Sequence, residues 1–183
     1  MKNKSIRIAR IGIIAALYIT MSLAIAPLTY GLIQVRFAEM LLLLCFFDKD
    51  YCYSLTLGCL VVNAFSPLGI IDVVFGTIGT IISVIGIRFI RRIYLVWIPP
   101  VLSSFMIALE FTITASEPFW LSFGTIALGE FIAVALIGTP VFMLLSRNKR
   151  FLELIGVDSR YRRIMNTKST NTSDNMKNNN GEE

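Results

Sequence analysis

Four carboxylates lie inside stretches that are otherwise apolar: Glu39, Asp72, Glu110 and Glu130. An ionised side chain at the centre of a membrane helix costs ~2.5–3.5 kcal/mol on insertion scales, so each of the four needs a partner or water. Arg36 stands three residues before Glu39, at the head of an apolar run. The pair reads in two compatible ways, as a structural i,i+3 ion pair that lowers insertion cost and as one wall of a polar pocket. Counted from the inner ends of their helices at ~1.5 Å per residue, Asp72, Glu110 and Glu130 all lie about 22–24 Å from one membrane edge. Glu39 lies somewhat deeper. Carboxylates from several spans at similar height predict a single acidic cavity. Such a cavity favours a cationic solute or one rich in hydrogen-bond donors, since a carboxylate accepts two parallel bonds from an N–H and an amino group. Asn63 is either an additional amide contact or a cap for the turn before Pro67.

The elements that must carry these residues follow from hydropathy. The chain has 183 residues, 55% of them hydrophobic, and no histidine, with a mean hydropathy of +0.70. Repeated apolar stretches of membrane length identify an all-α, multi-pass integral membrane protein of the cell membrane. The expected spans are Ile8–Leu28, Ile33–Phe47, Tyr51–Phe65, Gly69–Ile87, Tyr94–Thr114 and Phe119–Leu145, a six-helix bundle occupying residues 1–150. Of the 17 basic residues, all except Arg36 fall at the termini or in alternate turns, which puts both chain ends in the cytoplasm. The same distribution argues against a nucleic-acid-binding face. Residues 151–183 are expected to form a basic, then Asn-rich, cytoplasmic tail: a short surface helix within Ser146–Arg163, and disorder beyond Asn166.

Spans two and three are short, about 22 Å against a hydrocarbon core of ~30 Å. Leu28–Val35 is therefore expected to dip into the outer leaflet as irregular backbone above an outward-facing pocket. Pro140 is expected to kink the last span, because its ring clashes with the carbonyl of Leu136. Trp97 and Trp120 are expected near opposite interfaces. Gly12, Ala16, Thr20 and Ala24 form a small-residue stripe, with Ala9 and Ala15 nearby. Such a stripe lets another helix approach closely, inside the bundle or from a separate subunit.

Several function classes are excluded by missing motifs. There is no GxxxxGK[ST] phosphate loop, no HExxH, and only one aspartate within the spans. Cys45, Cys52 and Cys59 form no CxxC pair and have no histidine to complete a zinc set, so they read as buried small hydrophobes. No enzyme activity, metal or cofactor is expected.

The string YGLIQVRFAEMLL over Tyr30–Leu42 resembles the signature of QueT-type proteins, the queuosine-precursor substrate-binding subunits of energy-coupling-factor (ECF) transporters. Similar matches are GCLVVNAFSPLGIIDVVFGTIGT over Gly58–Thr80, the segment from Pro99 to Glu110, and LGEFIAVALIGTP over Leu128–Pro140. The resemblance implies a six-helix ECF S-component fold with an external pocket under the first loop. It implies a deazaguanine substrate such as 7-aminomethyl-7-deazaguanine. It also implies a membrane scaffold (T) subunit and two cytoplasmic ATPase subunits as partners, the scaffold docking on Gly12, Ala15 and Ala16. Asp72, Glu110 and Glu130 are then the expected ligand contacts, with Arg36, Glu39 and Asn63 closing the outer wall. The rival readings are an ion-coupled secondary carrier, with one carboxylate as proton site, and a membrane assembly factor whose acidic residues pair internally.

Overall fold

The computed structural model describes residues 4–25 and 37–157, and every regular element among them is helical. Helix α1 covers Lys4–Ala24. A 3-10 segment, Phe37–Leu43, runs straight into the four-residue helix α2, Leu44–Phe47. Helices α3 (Asp50–Ala64), α4 (Ile70–Phe89) and α5 (Ile98–Thr114) follow. Helix α6 (Phe119–Glu130) passes through a π-helical segment, Phe131–Gly138, into α7 (Thr139–Leu145). A short helix α8 (Lys149–Ile155) comes last.

Local chemistry sets the boundaries. Asp48 accepts the Asp50 N–H at 3.1 Å and so starts α3. Ser66, whose hydroxyl accepts the Leu68 N–H, and Gly69, at φ 63°, make the turn into α4. Pro99 and Pro100 occupy the first turn of α5, where a missing N–H costs nothing. The side chain of Asn148 accepts the Arg150 N–H and caps α8.

Long apolar helices pack side by side in chain order: α1 on α3, α3 on α4, α4 on α5 and α5 on α6. Four stretches are long and apolar enough to cross a membrane: Lys4–Ala24, Ile70–Phe89, Ile93–Thr114 and Phe119–Leu145. Their outward faces carry exposed Ile, Leu and Phe, with Ile70 74% and Phe89 80% exposed. That inversion of the usual surface identifies the faces that meet lipid.

The second expected span behaves differently. Its described part, Phe37–Phe47, is too short to cross. From Leu41 to Phe47 every residue is buried, and the 3-10 segment packs against the π segment and α1. A stretch apolar all round belongs in a core, and the described part of this one is buried there. Seven residues of 3-10 helix exceed the usual run of three or four. Leu28–Val35, where irregularity was expected, lies outside the described residues.

A π segment precedes Pro140, where the clash is expected. A wider turn moves the preceding carbonyls away from the proline ring. Both the N–H and the hydroxyl of Thr139 donate to the carbonyl of Val134, five residues back. Gly138 permits the 3-10 segment to approach: a Cβ there would lie 2.8 Å from Leu43 Cδ1 and 3.0 Å from Met40 Cβ. Gly86 does the same for α5, where a Cβ would lie 2.7 Å from Pro99 Cβ. Because a proline ring cannot swing aside, Gly86→Ala is expected to destabilise the protein by roughly 1–3 kcal/mol. A lowered melting temperature in detergent checks this.

Residues beyond Arg150 join the folded body. Phe151 packs on Phe47 and Phe142 at ring-centroid distances of 6.5 and 6.3 Å, and Ile155 and Val157 are buried. The Tyr51 hydroxyl donates to the Ile155 carbonyl at 2.6 Å, beside an Arg7–Asp50 ion pair at 2.6 Å. The beginning of α1 and the final helix therefore lie at the same end of the bundle. Residues 158–183 lie outside the description. Trp120 is fully lipid-facing at 78% exposed, whereas Trp97 packs edge-on against Phe131 at 5.1 Å.

Candidate functional site

Two apolar clusters divide the interior. One gathers Phe46, Phe47, Val84, Ile87 and Phe142 toward the end that holds α8. The other gathers Ile107, Ala108, Phe111 and Ile126, with Leu68, Phe119 and Phe123 around it. Along α4, α5 and α6 the residues between these clusters are small or polar, and a cavity opens among them. It is lined by Glu39 from the 3-10 segment, Gly76, Gly79, Thr80 and Ser83 from α4, Pro100, Ser103, Ser104 and Ile107 from α5, and Glu130 at the end of α6. The space inside it is narrow, with room for about one water molecule at its centre.

The six residues singled out from the sequence are distributed unevenly. Glu39 and Glu130 come together on the cavity wall. The Tyr18 hydroxyl donates to Glu39 Oε1 at 2.7 Å and fixes that carboxylate. Asp72 is buried one helical turn from Gly76, where a Cβ would lie 3.1 Å from Asp72 Oδ1 and would collide with the Asn63 amide nitrogen. Glycine at 76 thus lets Asn63 and Asp72 meet against the helix that walls the cavity. Glu110 is wholly buried one turn from Ile107 but does not itself border the cavity. Arg36 lies outside the described residues.

Asn63 does not cap the turn before Pro67. Its side chain turns inward, donating to Cys59 Sγ at 3.2 Å, while Ser66 supplies the turn's hydrogen bond. The Asn63 side-chain oxygen is buried without a hydrogen-bond partner among the described residues. Cys59 is correspondingly more than a small hydrophobe. Its sulfur also receives the Thr80 hydroxyl at 3.0 Å and lies 3.7 Å from the Gly76 carbonyl. Cys45 and Cys52 are free thiols, the first buried and the second half-buried.

The lining residues Thr80, Ser83, Ser103 and Ser104 escaped the sequence reading. A signal for them exists in Gly76, Gly79, Thr80 and Ser83, which recur at helical spacing along one face of an otherwise apolar helix. Tyr18→Phe is expected to weaken whatever depends on the position of Glu39 by about 1.5–3 kcal/mol, the worth of a hydrogen bond to a charged group. Ligand titration of the purified variant checks this.

The small-residue stripe of α1 faces outward. A Cβ at Gly12 would meet nothing within 4 Å, and Ala16 is exposed. Ala15 points the other way, buried against the bundle, and so does not share that face.

Lipid-facing helices around a carboxylate-walled cavity define a multi-pass membrane protein. Residues 8–147 match the profile of the QueT transporter family. The chain is 35% identical over 150 residues to the queuosine precursor transporter QueT of Lactococcus lactis subsp. cremoris (strain MG1363), across 73% of this chain and 88% of that protein. No solved structure matches significantly. The chain belongs to the QueT transporter family.

Proposed function

We propose that this protein is the substrate-binding subunit of an ECF-type importer and takes up a queuosine precursor such as 7-aminomethyl-7-deazaguanine. The observation that carries the reading is the cavity between Glu39 and Glu130 in a chain of this transporter family. Two buried carboxylates suit a solute with a cationic arm, and Asp72, Glu110 and Asn63, on or against the helices that wall the cavity, are assigned to the N–H and amino edge of a planar base. Arg36 is assigned to the outer wall. The chain threads the membrane in six passes with both ends cytoplasmic, the positive-inside arrangement. The absence of a phosphate loop fits a subunit that relies on two separate ATPases, joined to it by a membrane scaffold. The exposed Gly12 and Ala16 face supports docking to that scaffold.

A thermal-shift titration of the purified protein with 7-aminomethyl-7-deazaguanine tests the substrate, because a ligand that binds only the folded form raises the melting point. Uptake by cells making the scaffold and ATPases should stop when ATP is exhausted. Uptake that survives ATP depletion and collapses with the proton gradient would assign the protein to the secondary carriers instead.

A further inference from the structure

Three hydroxyl groups around the cavity share one property, the direction of their protons. Ser103 Oγ lies 2.8 Å from the Pro100 carbonyl, which only accepts, so the Ser103 proton goes there. Ser83 Oγ lies 2.6 Å from Ser103 Oγ and 3.0 Å from the Gly79 carbonyl, and it must donate to one or the other. Ser104 Oγ lies 3.4 Å from the Pro100 carbonyl, whose lone pairs already serve the Ser103 hydroxyl and the helical N–H of Ser104. The Cys59 thiol faces the Gly76 carbonyl at 3.7 Å and spends its proton on it. The Thr80 hydroxyl, 3.0 Å from the sulfur, is therefore the donor of that pair. The hydroxyls of Ser83, Ser103 and Thr80 thus each have their one proton turned into the protein and offer lone pairs to the cavity.

Glu39 and Glu130 add carboxylate acceptors to the same wall. We propose that the cavity is an acceptor-only receptor for a primary ammonium group, with Cys59 as the positioning residue that holds Thr80 in its accepting orientation. An ammonium is close to water in size and carries three donors, which matches both the narrow space and its lining. The inference rests on the proposed substrate class and deepens it. The aminomethyl arm of the ligand enters between Glu39 and Glu130, and the base lies on the Asp72 and Asn63 side. A nitrile in the same place would set lone pairs against lone pairs, and sites built for a donor reject analogues lacking it by large factors.

The test compares the affinity of the purified protein for 7-aminomethyl-7-deazaguanine and for its nitrile counterpart, 7-cyano-7-deazaguanine. The aminomethyl compound is expected to bind at least about 100-fold more tightly. Thr80→Val should cost the amine about tenfold, the loss of one hydrogen bond to a charged group. Cys59→Ala frees the Thr80 proton to turn into the cavity, so the amine-to-nitrile ratio should fall about tenfold, whereas Cys59→Ser should retain it. A purely structural cysteine would weaken both ligands together and leave the ratio unchanged, which would remove Cys59 from the proposal. Equal binding of the two compounds by the unaltered protein would overturn the acceptor-only cavity while leaving the substrate class intact. If neither deazaguanine binds, the substrate reading fails, and benzylamine against benzonitrile then judges the cavity by thermal shift. Stabilisation by the amine alone supports it; stabilisation by the nitrile, or by neither, overturns it.

Discussion

Glu130→Ala is expected to lower the affinity for 7-aminomethyl-7-deazaguanine by roughly 30-fold to several thousand-fold, while the purified protein remains folded. Glu130 borders the cavity together with Glu39 and is only 8% exposed, so little solvent reaches it to replace a lost charge. Truncating one partner of a buried, hydrogen-bonded charge pair costs about 2–5 kcal/mol, and every 1.4 kcal/mol is tenfold in affinity. Glu130→Gln keeps the shape and one acceptor, so it should retain part of the binding. Asp72→Ala should act in the same direction but less strongly, since Asp72 reaches the cavity wall only beside Gly76. Calorimetric titration reads these changes, with the melting temperature of each variant as a control. Unchanged affinity in Glu130→Ala would leave the acidic cavity without a role in recognition.

The second large effect separates binding from transport. Gly12→Leu combined with Ala16→Leu is expected to reduce uptake at least tenfold and to leave ligand affinity within about twofold. Both positions lie on the exposed face of α1, and a side chain added at Gly12 would meet nothing within 4 Å. Two leucines there face lipid in the isolated protein and cost its fold little. Against a partner helix the same leucines hold apart two backbones that small residues allow to touch. A leucine on the buried side, at Ala15, would damage the bundle itself, since Ala15 is 5% exposed. Intact uptake in the outward-facing double variant would argue against a scaffold on this face.

The run from Met40 to Phe47 shows where a sequence reading stops. Its composition is that of a membrane span, and hydropathy treats lipid and protein core alike. Only the packing of the π segment, α1 and α3 around it reveals a buried 3-10 segment. Pro140 is similar. Its clash with the preceding turn follows from the residue alone, but the π segment before it and the close approach at Gly138 do not. Cys59 read as a small hydrophobe because its hydrogen-bond partners lie largely on α4, seventeen and twenty-one positions away in the chain.

Membrane residence, helical class and the presence of costly carboxylates within the spans were all determined by the amino-acid sequence, because hydropathy, helix length and the cost of inserting a charge are local properties. Which of those carboxylates share a cavity was decided by the tertiary structure alone. Glu39 and Glu130 meet because a 3-10 segment places one beside the end of the helix carrying the other. The direction of each hydroxyl proton was decided there too, since a proton turns toward whichever acceptor packing brings within reach.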